Sequence, residues 1–257
     1  MTVLPTQTAI ITGGAKRIGG AITRALAADG WHVLIHCNQS RAEADALAAS
    51  LPHASVVAAD LADAGAAEII MAACAGLPPA RLLVNSASRF DYDRIEDFSA
   101  DGFDLHMAVN LRAPALLTRA FADALPAELG DAADGPALVV NLLDAKLASL
   151  NPDYFTYTLS KIGFEGLTEL TARSYAPRLR CVAIAPAVTL VSGPQTRANF
   201  EAVHGMNPLK RGVTVNDIVA ALRFIIATPT YNAQTIVLDG GQRLLGLPRD
   251  VAHMVDT

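Results

Sequence analysis

The sequence predicts a single α/β domain built on a doubly wound, parallel sheet of seven strands. Three observations predict it. Seven short runs rich in Val, Ile, Leu and Ala alternate along the chain with stretches of helical periodicity. The runs are apolar almost throughout, as strands covered on both faces must be. A glycine-rich turn follows the first run and opens the first helical stretch, at the carboxyl edge where such sheets bind ligands.

The elements follow in order. Thr8–Thr12 is the first strand. Ala15–Asp29 is a helix with Ile18, Ile22, Ala25 and Leu26 on one face, and Gly30 stands where a left-handed cap residue is favoured. Strands are expected at His32–Cys37, Ser55–Ala59, Arg81–Asn85, Ala137–Leu142, Arg180–Ala185 and Gln234–Leu238. Helices are expected at Arg41–Ser50, Ala62–Ala75, Phe98–Leu125, Phe155–Tyr175 and Val215–Ala227, with Pro114 marking a kink or a join. Right-handed crossovers make the sheet doubly wound. No internal repeat, low-complexity tract or linker interrupts residues 1–257. Residues 1–150 are mainly the cofactor-binding half, and 186–212 form a substrate-loop region.

Bulk properties narrow the function. The 257 residues are 52% hydrophobic, with a net charge of −5 and no long basic run, which argues against nucleic acid or an anionic membrane as partner. Cys37, Cys74 and Cys181 are odd in number and far apart, so no disulfide framework or metal site is expected. They read as small buried hydrophobes in a reducing compartment. The N-terminus lacks the pattern of a secretory leader, and no apolar run reaches the roughly 18–20 residues of a membrane span. A soluble, cytoplasmic protein with a small-molecule substrate is the expectation.

The turn Thr12-Gly13-Gly14-Ala15-Lys16-Arg17-Ile18-Gly19 suits a dinucleotide. Glycine permits a tight turn and close approach of a pyrophosphate, and the helix start supplies free N–H groups. Sites for NAD usually carry an acid after the second strand to hold the ribose 2′-hydroxyl. Here that end reads His36-Cys37-Asn38-Gln39-Ser40-Arg41, with Lys16 and Arg17 nearby, a set better matched to the 2′-phosphate of NADPH. Asp60 and Leu61 follow the third strand at the expected adenine position. Asn85, Ser86, Ala87 and Ser88 end the fourth strand beside the expected nicotinamide ribose.

Tyr157 and Lys161 lie four residues apart at the start of a helix and share one face. A free phenol has a pKa of about 10, too high for efficient proton transfer at neutral pH, and a neighbouring ammonium is expected to lower it.

Taken together, Thr12–Gly19, Asp60, Asn85–Ser88, Asn110 in Val-Asn-Leu, Tyr157 with Lys161, Pro186 after the sixth strand and Leu238-Asp239-Gly240-Gly241 resemble the short-chain dehydrogenase/reductase family over nearly the whole chain. The resemblance implies a Rossmann-type sheet of seven strands and an Asn–Ser–Tyr–Lys tetrad. Asn110 would hold a water in a proton relay to Lys161, and Lys161 would also bind the nicotinamide ribose. Pro186 and Val188 would border the cofactor. It implies a homotetramer or homodimer packing the helices near Phe98–Leu125 and Phe155–Tyr175.

Departures from the family pattern are informative. Arg17 stands where the turn usually has glycine. The tetrad serine is absent: thirteen positions before Tyr157 stands Asp144, and Ser149 is too close to replace it simply. An ionised carboxylate only accepts hydrogen bonds, so it suits a donor-rich heterocycle better than a ketone oxygen. With Phe90 shortly after the fourth strand, this combination resembles the pteridine reductases and bacterial dihydromonapterin/dihydrofolate reductases. The resemblance implies hydride transfer from NADPH to a C=N bond of a pterin or dihydropterin. Phe90 would sandwich the substrate against the nicotinamide, Arg17 would reach the pyrophosphate and the substrate, and Ser88, Asp144 and Tyr157 would complete the pocket. A carbonyl reductase acting on a 3-oxoacyl thioester or sugar is the alternative, and a non-catalytic NADP-binding protein the third reading. The loop from Ala187 to about Met206 is the expected substrate lid.

Overall fold

Seven parallel strands run in the spatial order β3-β2-β1-β4-β5-β6-β7. The structure is a computed structural model that describes residues 6–127, 129, 135–193 and 195–255. The leader-free reading of the N-terminus rests partly on residues 1–5, and the expected lid includes Pro194; these lie outside the described residues. The strands are β1 Thr8–Ile11, β2 His32–Cys37, β3 Ala54–Ala58, β4 Ala80–Asn85, β5 Ala137–Leu142, β6 Leu179–Pro186 and β7 Thr235–Leu238. The helices are α1 Arg17–Ala28, α2 Arg41–Ala49, α3 Ala66–Ala72, α4 Ala100–Met107, α5 Ala113–Asp123, α6 Phe155–Tyr175, α7 Arg197–His204 and α8 Val215–Ala227.

Strand alternation distributes the apolar residues to two cores. Ala9, Ile11, Val33, Ile35, Val84 and Val140 pack with Ile22 and Leu26 of α1 and Leu222 and Ile225 of α8. Ile10, Leu34, Leu83 and Val139 point the other way, against Ile70 of α3, Leu117 and Phe121 of α5 and Ala172 of α6. The inner strands β1, β2, β4, β5 and β6 are buried on both sides, which is why their sequences read as nearly continuous apolar runs, whereas the edge strands β3 and β7 are mostly half-buried.

The sheet order reverses between β1 and β4, which are hydrogen-bonded neighbours. The two connections leaving their carboxyl ends run to opposite faces and open a crevice there.

Several expectations need correction. The helical stretch Phe98–Leu125 carries a π-helical turn, Ala108–Arg112, between α4 and α5, and Pro114 follows that turn at the expected join. Helix α3 is shorter than Ala62–Ala75, because Asp60 Oδ1 accepts the Ala62 N–H at 2.9 Å and turns the chain first. Helix α7, capped by Thr196, lies inside the stretch expected to be a lid. Cys37 and Cys181 are buried but Cys74 is only half-buried, and all three are free. None of the described helices is long and apolar enough to cross a membrane.

Candidate active site

A cleft of about 730 Å³ lies over the carboxyl ends of the strands, lined from the glycine turn at one end to the segment after β7 at the other. At the turn, Gly13 has φ +62°, and a Cβ there would come within 3.0 Å of Ala87 Cα. A Cβ on Gly19 would meet the Gly13 carbonyl oxygen at 2.2 Å. Thr12 Oγ1 accepts the backbone N–H groups of Ser86 and Ala87, each at 3.0 Å, tying the turn to the β4 loop. Lys16, the residue before α1, makes no side-chain cap, so helix-start N–H groups face the cleft end unengaged by a capping side chain. This close-packed, uncapped turn fits a pyrophosphate.

His36 acts as a buckle beneath it. Its Nδ1 accepts the Gly13 N–H at 3.2 Å and its Nε2 donates to the Ala59 carbonyl at 3.1 Å. Only one neutral tautomer satisfies both bonds, and burial pulls the pKa down accordingly. Its ring is therefore spent within the fold, although the residue borders the cleft. Asn38, Gln39 and Ser40 line the cleft beyond it, as do Ile18, Asp60 and Leu61. Lys16 also lines it and pairs with Glu43 at 3.0 Å, both about half exposed. Arg41 is held by Asp45 and does not line the cleft.

Arg17 has φ +55°, the left-handed region that glycine enters freely. An arginine there costs about 1 kcal/mol. Its guanidinium Nη1 donates to the Val191 carbonyl at 2.7 Å, joining the turn to the loop after β6. Pro186 at the end of β6 and Val188 of that loop line the cleft.

At the end of β4 the expected placement of Asn85 changes. The Asn85 side chain donates to Asn141 Oδ1 of β5 at 2.9 Å and does not line the cleft, whereas Ser86 and Ala87 do. Asn110, on the π-helical turn, clamps the residue before Phe90: its Oδ1 accepts the Arg89 N–H at 2.8 Å and its Nδ2 donates to the Arg89 carbonyl at 2.9 Å. Ser88 Oγ donates to the same Oδ1 at 3.3 Å, and Asn110 Nδ2 also donates to Ser160 Oγ at 3.0 Å. The side-chain amide is thus fully engaged within the fold. It orders the loop that carries Phe90.

At the centre of the cleft, Tyr157 and Lys161 project from the first turns of α6. The Tyr157 hydroxyl donates to Asp144 Oδ2 at 2.8 Å, and Asp144 Oδ1 accepts the Lys146 N–H at 2.8 Å. Lys161 Nζ donates to the Leu142 carbonyl at 2.7 Å and lies 5.6 Å from the centre of the Tyr157 ring. Burial pushes the Lys161 pKa down to about 8, against the pull of Asp144. Burial and the Asp144 carboxylate push the Tyr157 phenol well above its usual value. The expected lowering by Lys161 is thus reversed, first because the phenol is buried and second because the Asp144 carboxylate faces it. Burial raises the Asp144 carboxyl, which the Lys146 N–H and the Tyr157 hydroxyl partly offset.

Phe90 stacks on Tyr154 with ring centres 4.2 Å apart and meets the Tyr157 ring edge-on at 4.7 Å. One Phe90 face is therefore covered, and the expected sandwich has only the other. Tyr154, Lys146 and the segment Leu247–Ala252 also line the cleft, although none was singled out from the sequence. The Tyr154/Tyr157 spacing at one end of a helix was a usable signal for the first. The segment is tethered through buried Asp153, which accepts from Arg249 Nε at 2.7 Å and from the Asp250 N–H at 2.8 Å, a pairing across nearly a hundred residues that leaves no local trace.

Residues 13–243 match the family model described as enoyl-(acyl carrier protein) reductase, a short-chain dehydrogenase/reductase family. The chain belongs to the short-chain dehydrogenase/reductase family. It is therefore an oxidoreductase. Among solved structures, it is similar to the FolM alternative dihydrofolate reductase 1 of Brucella canis, complexed with NADP: 36% identity, TM-score 0.87, covering 95% of this chain and 96% of that one. Pteridine reductase 1 of Leishmania tarentolae is 27% identical over 95% of this chain and 99% of its own. L-xylulose reductase of Mesocricetus auratus is 27% identical over 91% and 95%. Within the family the chain falls with the pteridine-reductase-like members.

Proposed function

We propose that this protein reduces a C=N bond of a pterin or dihydropterin with NADPH. The observation that carries the reading is the hydrogen bond from Tyr157 to Asp144, a carboxylate where the family tetrad has a serine. When bound, NADPH supplies the hydride, and its NADP form accompanies the similar Brucella protein. Gly13, Lys16, Arg17, Ile18, Asn38, Gln39, Ser40, Asp60, Leu61, Ser86, Ala87, Pro186 and Val188 are the residues that would hold it.

Reduction of C=N needs a proton at nitrogen, and Tyr157 carries one toward the cleft. Asp144 holds that proton in place and, with its own carboxyl raised by burial, takes a replacement from solvent more readily than an ordinary carboxylate does. Lys161 keeps a positive charge beside the phenol while it is deprotonated. Asp144 would also accept from N–H groups of the heterocycle, Arg17 and Ser88 would border it, and the open Phe90 face would stack on it, worth about 1 kcal/mol. The assembly we propose is a cytoplasmic homotetramer or homodimer.

The similarity to L-xylulose reductase favours a second reading, reduction of a sugar ketone. NADPH oxidation by the purified protein separates the two. Dihydromonapterin, dihydrobiopterin and dihydrofolate should be turned over ahead of a panel of sugar and 3-oxoacyl ketones. Turnover of ketones alone would contradict the pterin reading. Tight NADPH binding with no turnover of any of them would favour a non-catalytic protein.

A further inference from the structure

The cleft continues past Asp144 into a compartment bordered by Tyr154, Lys146 and the segment after β7. Two charged groups face each other there without completing a hydrogen bond. Asp250 is fixed by its backbone N–H, which donates to Asp153, and its Oδ1 accepts the Ala252 N–H at 3.1 Å. Its other oxygen, Oδ2, stands 3.6 Å from Lys146 Nζ, an ion-pair distance too long for a direct hydrogen bond. Lys146 donates one proton to the Asp153 carbonyl, and its side chain is only 7% exposed. Its ammonium carries three donors, so it has capacity left. Of the cations in the segment after β7, Arg249 is taken up by Asp153 and Arg243 pairs with Asp239.

An acceptor and a donor, each incompletely satisfied, thus meet across a gap at the wall of the cleft. A hydroxyl group completes both: it donates to Asp250 Oδ2 and accepts from Lys146 Nζ. An alkyl group would desolvate both charges without replacing a hydrogen bond. A carboxylate would meet the free oxygen of Asp250. The Lys146 backbone N–H holds Asp144, so this gap adjoins the carboxylate assigned to the heterocycle.

We propose that Lys146 and Asp250 form a hydroxyl-recognising subsite that selects pterins with a hydroxylated side chain over those with an alkyl or anionic one. The proposal rests on the pterin reading above.

The test is kcat/KM of the full-length protein and of its Asp250→Ala and Lys146→Met variants. Three substrates are compared: a dihydropterin with a trihydroxypropyl side chain, one with a methyl group at the same position, and dihydrofolate with its anionic tail. The wild type should prefer the hydroxylated substrate. Asp250→Ala should lower kcat/KM on it by roughly tenfold, through KM, as expected for losing a hydrogen bond to a charged group. The same variant should leave the methyl substrate unchanged and improve dihydrofolate, and Lys146→Met should lose the hydroxylated substrate selectively. Should either variant fail to fold, Asp250→Asn preserves the shape and should show the same selective loss, smaller in size. Equal loss on the hydroxylated and methyl substrates, or loss on neither, overturns the subsite. A wild type that oxidises NADPH with ketones but with none of the three pterins overturns instead the reading beneath it.

Discussion

Tyr157 donates its phenolic proton to Asp144 Oδ2 across 2.8 Å, with the Asp144 carboxylate held from its other side by the Lys146 N–H. A serine in the same place would donate to a ketone oxygen, whereas the carboxylate can only accept unless it is protonated. On the proposed reading the pair sets both the proton supply and the kind of acceptor the site tolerates.

Removing the phenolic hydroxyl should separate chemistry from binding. Tyr157→Phe should lower kcat by at least about 100-fold, the usual weight of a positioned general acid. NADPH affinity, read by quenching of protein fluorescence or by calorimetry, should stay near the wild-type value. A large fall in NADPH affinity would place Tyr157 in cofactor binding instead.

Lys161 gives the account a pH signature. Its folded pKa of about 8 lies below the ordinary lysine value, so it carries its charge below pH 8 and loses it as pH rises through 8. The kcat/KM profile of the free enzyme should fall on its basic side with a midpoint near 8. Lys161→Arg, charged throughout, should remove that limb even if the overall rate drops.

The glycine turn supports two opposite predictions. Gly19→Ala puts a methyl group 2.2 Å from the Gly13 carbonyl oxygen, so it should displace the turn and abolish NADPH binding. Arg17→Gly relieves a left-handed arginine but frees the unfolded chain, and the two effects should nearly cancel, leaving stability within about 1 kcal/mol. It should nonetheless raise KM, because the bond from Arg17 to the Val191 carbonyl is lost.

Asp153 should be the weak point of the C-terminal segment. Burial works against its ionisation, but the Arg249 guanidinium, the Asp250 N–H and the Tyr92 hydroxyl outweigh it and hold the pKa at about 2. A depressed carboxyl contributes stability that is present above its ordinary value of 3.8 and is lost as pH falls through 2. Asp153→Asn should lower the melting temperature, because Arg249 and the Asp250 N–H lose their charged acceptor, and should expose residues beyond Leu247 to carboxypeptidase at neutral pH. Unchanged melting temperature and protease resistance would contradict this tether.

What could be read from the sequence followed from local physics. Strands β2 and β5 and helices α6 and α8 stand at their expected bounds, because burial on both faces and a 3.6-residue period leave direct marks. The pairing of Asp144 with Tyr157 was legible as a spacing and a missing serine. The direction of the Tyr157 shift was not, since it depends on how deeply the phenol is buried and on the Asp144 carboxylate facing it. Asn85 could not be told from a cleft residue either, because its orientation is decided by Asn141 on the neighbouring strand. The segment carrying Asp250 reaches the cleft through Asp153 and Arg249, partners far apart in sequence.

The most direct test of the central claim is the substrate preference of Asp144→Ser, measured as the ratio of kcat/KM on a dihydropterin to kcat/KM on a sugar ketone, against the wild type. The account predicts that the ratio falls by at least about 100-fold, through lost pterin turnover with ketone activity kept or raised, while NADPH affinity holds. A ratio unchanged by the substitution would show that Asp144 does not select the substrate and would contradict it.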